Sequence, residues 1–234
     1  MIKYLKLPFQ FDAVKMQQEV RLLNSGAWLQ HYQVLHYEGD WSAIPLRSPA
    51  GKADNIIIAA SGDIPYENTV FLDSCPYIET VLGNFKCPLL AVRLLKLSAG
   101  AVIKEHRDAD LCFEKGEIRL HIPVITHDDV EFYLEKEQLH PGEGQCWYMN
   151  FNLLHSIRNN SNINRIHLVI DAVVNDWVRD QFATAAFKKE IADTPQYSPE
   201  VQLQIIAQLR LMNTAVSQAM ADEMERETGR QNEE

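Results

Sequence analysis

Ile118-Arg119-Leu120-His121-Ile122-Pro123-Val124-Ile125 alternates between large apolar residues and residues of another kind. In an extended chain this period of two puts Arg119, His121 and Pro123 on one face and Leu120, Ile122 and Val124 on the other. The apolar back can pack outward against a second layer, while the polar front lines an interior. Working outward, Leu89–Leu97, Val130–Leu134, Gln145–Met149 and Arg165–Ala172 read as further strands. In Asp128-Asp129-Val130-Glu131-Phe132-Tyr133-Leu134 the residues Val130, Phe132 and Leu134 share a face, as a half-buried strand requires. His140-Pro141-Gly142-Glu143-Gly144 is a strong turn signal. From Trp28 to about residue 176 this texture is that of an all-β sandwich or barrel.

The flanks read differently. Residues 12–24 predict a helix, with Asp12 as N-cap and Asn24-Ser25-Gly26 as its stop. After Asp176 the pattern is helical again, and Ser198-Pro199 marks a helix start with Ser as N-cap and Pro at the first helical position. Ile205, Leu209, Met212, Val216 and Met220 then fall on one face of a single long helix, and the charged end from Asp222 is expected to fray. The expected organisation is residues 1–176 as a β domain with a leading helix, and residues 177–234 as a helical extension. That extension is expected to pack on the core or on a partner subunit, with a homodimer through these helices as one form.

Three of the eight histidines stand in suggestive contexts. In Glu105-His106-Arg107-Asp108, an H-x-D pair on an extended segment puts both side chains on one face, so an imidazole and a carboxylate can take adjacent positions on a divalent metal. His155, 49 residues further on, is the expected third ligand. Two histidines and one carboxylate with the other positions open is the arrangement of non-haem iron(II) oxygenases. H-x-D alone also occurs in ordinary surface loops, so the neighbouring residues decide. Arg165 opens an otherwise apolar strand ten residues after His155. A buried guanidinium needs an anionic partner, and a carboxylate matches it in a bidentate geometry. That partner is either a dicarboxylate cosubstrate or, in a purely structural role, Asp171 on the same face. Arg119 and His121 suggest a second anion contact, the alternative being strand residues that face solvent. His167 shares the face of Arg165 and reads as a satisfied core histidine. His31, His36, His127 and His140 belong to no constellation.

The residues His106-Arg107-Asp108, Arg119-Leu120-His121-Ile122-Pro123-Val124, Pro141-Gly142-Glu143-Gly144, Trp147-Tyr148, Asn152, His155-Ser156, Asn159 and Arg165-Ile166-His167-Leu168-Val169-Ile170-Asp171 together resemble the aspartyl/asparaginyl β-hydroxylase family. The resemblance covers roughly residues 28–176. It implies a mainly β, double-stranded β-helix (jelly-roll, cupin-like) core. It also implies an iron(II)- and 2-oxoglutarate-dependent dioxygenase that hydroxylates an unactivated carbon of an amino acid or short peptide. On this resemblance His106, Asp108 and His155 bind iron, Arg165 grips the distal carboxylate of 2-oxoglutarate, and Arg119 and His121 contact the cosubstrate near the metal. The segment Trp41-Ser42-Ala43-Ile44-Pro45-Leu46-Arg47-Ser48 would border the substrate pocket, with Arg47 or Arg93 meeting a substrate carboxylate. The animal enzyme lacks the carboxylate ligand, whereas Asp108 is present here, so the chain looks like the bacterial branch that includes free proline hydroxylases. An aspartyl or asparaginyl β-carbon is the expected target and free proline the alternative. A cupin-like metal-binding isomerase or sensor is the rival from another class, but it predicts no use for Arg165.

Composition bounds these readings. The 234 residues include 46% hydrophobic and 23% charged residues, which are globular values. Acids outnumber bases 32 to 22, a net charge of −10, so nucleic acid is not an expected partner. Much of that excess sits in residues 222–234, which hold six acids against two bases. No run approaches the roughly 20 apolar residues of a membrane helix. The four cysteines form no CxxC, and no signal peptide is read at the start, so a reducing cytoplasm is the expected compartment.

Overall fold

The strand that carries Arg119 lies in the middle of the larger of two antiparallel sheets. The computed structural model describes residues 1–23, 25–57, 64–108, 111–191 and 198–231. In chain order the strands are β1 (Ile2–Gln10), β2 (Leu29–Gln30), β3 (Tyr37–Glu38), β4 (Trp41–Pro49), β5 (Tyr66–Asn68), β6 (Leu89–Leu97), β7 (Val102–His106), β8 (Glu117–Ile125), β9 (Val130–Leu134), β10 (Glu137–Leu139), β11 (Gln145–Met149), β12 (His155–Asn159), β13 (Arg165–Val173) and β14 (Phe187–Glu190). The helices are α1 (Ala13–Leu22), α2 (Pro76–Leu82), α3 (Asp176–Thr184), α4 (Pro199–Met212) and α5 (Ala215–Gln231).

Among the described residues the larger sheet runs β14-β1-β11-β8-β13-β6-β4-β2 with β5 beside β4, and the smaller runs β10-β9-β12-β7-β3. Within them, β11-β8-β13-β6 faces β10-β9-β12-β7, and most steps along the chain between β6 and β13 cross from one sheet to the other. This is the jelly-roll expected from the resemblance. The expected strands at 89–97, 130–134 and 145–149 coincide with β6, β9 and β11, and those at 118–125 and 165–172 agree with β8 and β13 to within a residue.

The alternation in β8 works as predicted. Leu120, Ile122 and Val124 join Leu5, Leu7, Tyr148, Leu168 and Ile170 in a cluster on the outer face of the larger sheet. Met16 and Val20 of α1, Ile78 and Val81 of α2, and Val178 and Phe182 of α3 belong to the same cluster. Each such aliphatic side chain, fully buried, contributes roughly 1.5–3 kcal/mol. Between the sheets lies a second cluster that includes Trp41, Leu95, Leu97, Ile103, Phe132, Trp147, Phe151 and Val169. Arg119, His121, Arg165 and His167, all buried, enter from this inner side.

Local signals account for the helix ends. Asp12 caps α1 by accepting from Lys15 N at 3.2 Å. Glu19 of α1 accepts from the backbone N–H groups of Tyr77 and Ile78 (2.6 and 2.9 Å), so one buried carboxylate caps the start of α2. Gly144 occupies φ 74°, and a Cβ there would meet the Phe11 carbonyl at 2.1 Å. Glycine alone fits that turn, which receives Phe11 N–H at 2.9 Å and thereby ties the entry of α1 to the end of β10 and the start of β11.

The expected leading helix is present as α1, and three finer points differ. The chain opens with a strand, not with the helix: β1 pairs with β11 (Tyr4↔Met149, Leu5↔Tyr148) and precedes α1. The first compact unit runs over Met1–Ile191 and the second over Ala192–Glu234, so the helical segment after 176 begins inside the first unit. There β14 adds to the free edge of β1 (Lys6↔Phe187), which is why the unit reaches past 176. The predicted single helix of the second unit is two helices. Asn213 at φ 48° takes the left-handed conformation that ends α4, and Arg210 bridges the turn to Asp222 and Glu225 of α5 (2.5 and 2.8 Å). Ser198 does cap α4, accepting from Val201 N. Met212, Val216 and Met220 of the predicted stripe are exposed. The predicted stop at Asn24 lies outside the described residues. No described helix is long and apolar enough to cross a membrane.

Candidate metal centre and adjoining pocket

Cross-strand pairing assembles the centre. His106, the last residue of β7, lies directly opposite His155, the first residue of β12. Their ring centroids are 4.2 Å apart. Asp108 follows two residues after His106 and is pinned by its N–H to the Phe151 carbonyl at 2.9 Å. One ligand atom from each of His106, Asp108 and His155 lies within 4.8 Å of the other two.

The outer contacts orient this set. His106 Nδ1 meets the Lys104 carbonyl at 2.7 Å, and His155 Nδ1 meets the Leu153 carbonyl at 3.0 Å. A carbonyl only accepts, so Nδ1 is the donor in both rings and Nε2 is the nitrogen left for a metal. Burial lowers the His155 pKa to about 4, with His106 adding to the effect, so the ring is neutral at pH 7. Burial works to raise Asp108, but Arg119, His155, His106 and Arg93 outweigh it and hold the carboxyl below its ordinary value. Asp108 Oδ2 accepts from Arg119 Nη1 at 2.5 Å, while Oδ1 stands 3.7 Å from His106 Nε2. One oxygen is therefore committed to the arginine and the other faces the histidines. Two imidazole nitrogens and one carboxylate oxygen fit a divalent transition-metal ion.

Arg119 does not stand alone. Its Nε donates to Asp171 Oδ1 at 2.6 Å and its Nη2 to Asp171 Oδ2 at 3.2 Å. Arg93 Nη2 donates to the same Oδ2 at 2.8 Å. The result is a buried chain, Arg93–Asp171–Arg119–Asp108. Burial works to lower Arg119, yet Asp171 and Asp108 carry it above its ordinary value. The contact that the sequence offered to Arg165 is thus taken: Asp171 serves Arg93 and Arg119.

Arg165, almost fully buried, has no carboxylate partner among the described residues. Its Nη2 meets His167 Nδ1 at 3.0 Å, and its Nε has no partner. Burial alone lowers its pKa to about 9, so the guanidinium stays charged at pH 7 without an ion pair. Next to it His121 Nδ1 lies 3.2 Å from His167 Nδ1. A cavity of about 90 Å³ opens at this point, lined by Arg165, His167, Thr126, Phe132 and His140 among others.

The remaining expected residues divide. Arg93 is buried, its Nε has no partner, and it lies within electrostatic reach of Asp108. Arg47 sits at the β4–β5 edge, where it donates to the Leu89 carbonyl (3.1 Å) and Asn68 Oδ1 (2.9 Å). No described contact brings it to the triad. Two histidines without a sequence signal do stand close. His36 has its ring centroid 5.2 Å from that of His106. His31 stacks on Trp41 at 3.4 Å, and burial lowers its pKa to about 3, with Arg93, Arg119 and His106 adding to the effect against Asp108. Neither forms a motif with its sequence neighbours, because their relation to the centre arises only when the 31–37 segment folds over β7.

The sequence model described as aspartyl/asparaginyl beta-hydroxylase matches residues 11–174. L-Proline cis-4-hydroxylase of Rhizobium meliloti (strain 1021) is 28% identical over 164 residues, which are 69% of this chain and 58% of that protein. The chain thus matches less than two thirds of that curated relative's length. Among solved structures, a 2OG-Fe(II) oxygenase family oxidoreductase from Burkholderia pseudomallei aligns with TM-score 0.48 and 14% identity over 74% of this chain and 88% of the other. A viral collagen prolyl hydroxylase from Paramecium Bursaria Chlorella virus-1 aligns with TM-score 0.41 and 11% identity over 73% and 96%.

Proposed function

We propose, from the premise that this chain belongs to the aspartyl/asparaginyl β-hydroxylase family, that it is an iron(II)- and 2-oxoglutarate-dependent dioxygenase acting on an amino acid or short peptide. The observation that carries this reading is Arg165: a buried, charged guanidinium without a carboxylate partner among the described residues, on the inner face, where His121 lies within electrostatic reach of both Arg165 and His155. A buried cation without a counterion costs several kcal/mol, so its retention points to an anionic ligand.

In this reading His106, Asp108 and His155 hold iron(II), and Arg165 binds the far carboxylate of 2-oxoglutarate. The bound pair supplies the chemistry 2-oxoglutarate + O2 + R–H giving succinate + CO2 + R–OH. The protein residues orient and exclude. Arg119 holds one oxygen of Asp108, and Asp171 holds Arg119 from behind. His121 steadies the histidine beside Arg165. This reading assigns a substrate carboxylate to Arg93, whose buried Nε has no hydrogen-bond partner. Trp41, Phe132, Trp147 and Phe151 keep the space between the sheets dry, which strengthens each of these charged contacts.

An aspartyl or asparaginyl β-carbon is the target that the family's description suggests. Free L-proline is the second reading, favoured by the similarity to a protein named L-proline cis-4-hydroxylase. The test mixes anaerobically purified protein with iron(II) and 2-oxoglutarate, then adds oxygen and single candidate substrates. Succinate stimulated by L-proline, or by aspartyl and asparaginyl peptides, distinguishes the two. Absence of stimulated succinate with every amino acid and peptide pool, together with no binding of 2-oxoglutarate, overturns the dioxygenase reading.

A further inference from the structure

We infer that Asp171 is a positioning residue that couples the two ends of the site: a metal ion on Asp108 strengthens Arg93 as an anion binder, and a carboxylate on Arg93 strengthens Asp108 as a metal ligand. This rests on the dioxygenase reading, in which Arg93 receives the substrate carboxylate, and adds a link between that contact and the metal.

Sheet register builds the link. Asp171 of β13 lies directly opposite Arg119 of β8. Two residues back on the same face, Val169 lies opposite Arg93 of β6. Strands β6, β13 and β8 are neighbours, so one carboxylate reaches a guanidinium on each side. Its Oδ1 accepts from Arg119 Nε at 2.6 Å, and its Oδ2 is shared between Arg93 Nη2 at 2.8 Å and Arg119 Nη2 at 3.2 Å. Asp171 is 1% exposed, so bulk water and salt screen neither contact. Arg119 in turn donates to Asp108 Oδ2.

Signs alternate along Arg93–Asp171–Arg119–Asp108, and the charges cancel. A purely structural network of this kind closes on itself, but this one is open at both ends. Asp108 Oδ1 makes no hydrogen bond among the described residues and stands 3.7 Å from His106 Nε2. At the other end, burial pushes Arg93 below its ordinary pKa because Asp171 is its one carboxylate contact among the described residues and Arg119 competes for it. Arg119, equally buried, is held above its ordinary value by two carboxylates. Charged hydrogen bonds in such a chain polarise one another. A metal ion that draws on Asp108 loosens the Asp108 hold on Arg119. Arg119 then leans harder on Asp171, which has less to give Arg93, and Arg93 gains as an anion site. The reverse direction has the same sign, as linkage requires.

A cation and an anion also attract through space, and replacing Asp171 separates the two effects. In Asp171→Asn the side-chain oxygen can keep the Arg119 Nε contact, but the NH2 in place of Oδ2 only donates and cannot accept from Arg93. Guanidinium 15N–1H NMR of the full chain, titrated with zinc(II) alone, reads the link without cosubstrate or turnover. Zinc is expected to shift the Nε–H signals of both Arg119 and Arg93 in the unmutated chain. In Asp171→Asn the Arg119 shift is expected to persist and the Arg93 shift to fall by about threefold or more. An Arg93 signal that zinc leaves unmoved in the unmutated chain, or moves equally in both chains, overturns the inference. Arg119→Lys, whose single ammonium cannot span Asp171 and Asp108 as the fork does, should lose the Arg93 shift as well and keeps the comparison available if Asp171→Asn does not fold. Calorimetry reads the reverse direction, with L-proline and N-acetyl-L-aspartate titrated into the chain with and without manganese(II). Manganese is expected to tighten at least one of them about five- to fiftyfold in the unmutated chain and by less than about twofold in Asp171→Asn. If neither carboxylate binds in either state, or the gain is equal in the two chains, Asp171 is only a structural counterion and the inference is overturned. A manganese(II)-loaded chain that binds no 2-oxoglutarate would instead sink the dioxygenase reading itself, and the zinc titration would still decide the link.

Discussion

At the residue scale the proposed centre depends on a charge chain as much as on its three candidate ligands. Asp108 presents one oxygen because Arg119 takes the other, and Arg119 stays in place because Asp171 accepts twice from it. Asp108→Ala or His155→Ala should abolish tight iron(II) binding in an anaerobic metal titration. Asp171→Asn removes the charge behind Arg119 but touches no ligand; iron affinity should fall about tenfold, as for other outer-contact changes at metal sites. Unchanged affinity would show that Arg119 holds Asp108 without that support. Arg165→Ala should leave iron affinity intact and weaken 2-oxoglutarate, which the same titration followed by cosubstrate addition reads out. The H-x-D spacing and the arginine in an apolar strand made the candidate ligands and Arg165 legible in the sequence. His31 and His36 were not legible, since nothing next to them in the chain hints at the centre. His167 differs from the satisfied core histidine its pattern suggests: alternation places it on the inner face, but its partnerless Nε2 emerges only from the packing around it.

At the element scale the turns hold the register that brings the ligands together. Asn159 ends β12, and its amide nitrogen donates to the carbonyls of Leu97, Ser98 and Ile163 at 3.0, 3.1 and 2.8 Å. Its Oδ1 accepts from the Ser161 N–H and hydroxyl (3.2 and 2.6 Å). This turn sets the start of β13, and hence the position of Arg165. Asn159→Ala should destabilise the fold by about 2–3 kcal/mol, because buried carbonyls lose their donor; urea unfolding measures it. Gly144→Ala should also destabilise, since the new Cβ would collide with the Phe11 carbonyl at a positive φ. A midpoint equal to that of the wild type would mean the turn relaxes freely. The strands with strict alternation were legible because one face is apolar throughout. The first strand was not, since Lys3, Lys6 and Pro8 break its apolar texture. It forms because β11 offers an edge, and Lys3 and Tyr4 both donate to Glu137 (2.8 Å each). Likewise β14 is exposed along its length and exists only as a partner of β1.

At the scale of the whole molecule, an acidic chain of net charge −10 encloses a cationic interior with Arg93, Arg119 and Arg165 buried and His31, His121 and His167 kept neutral. Burial is the first cause of each histidine's lowered pKa. The fold therefore binds fewer protons than the unfolded chain below the unfolded value of about 6.5. Their contribution to stability is fully present above that pH and is lost as pH falls towards the folded values, about 3 for His31. The urea midpoint of the metal-free protein should drop between pH 7 and 5, a window above the titration of ordinary carboxylates. His31→Phe, which keeps the stacking on Trp41, should show a smaller drop; an equal drop would place the loss elsewhere. The sequence by itself determined the all-β class, which the family resemblance narrowed to a jelly-roll, the strands with one apolar face, the helix caps at Asp12 and Ser198, and the candidate set His106, Asp108 and His155. Periodicity, capping and ligand type are written in short stretches of chain. Only the tertiary structure decided the pairing of β1 and β14, the break at Asn213, the partner of Asp171 and the unpaired donors of Arg165 and His167. Those depend on which buried groups remain unsatisfied after strands distant in sequence have come together.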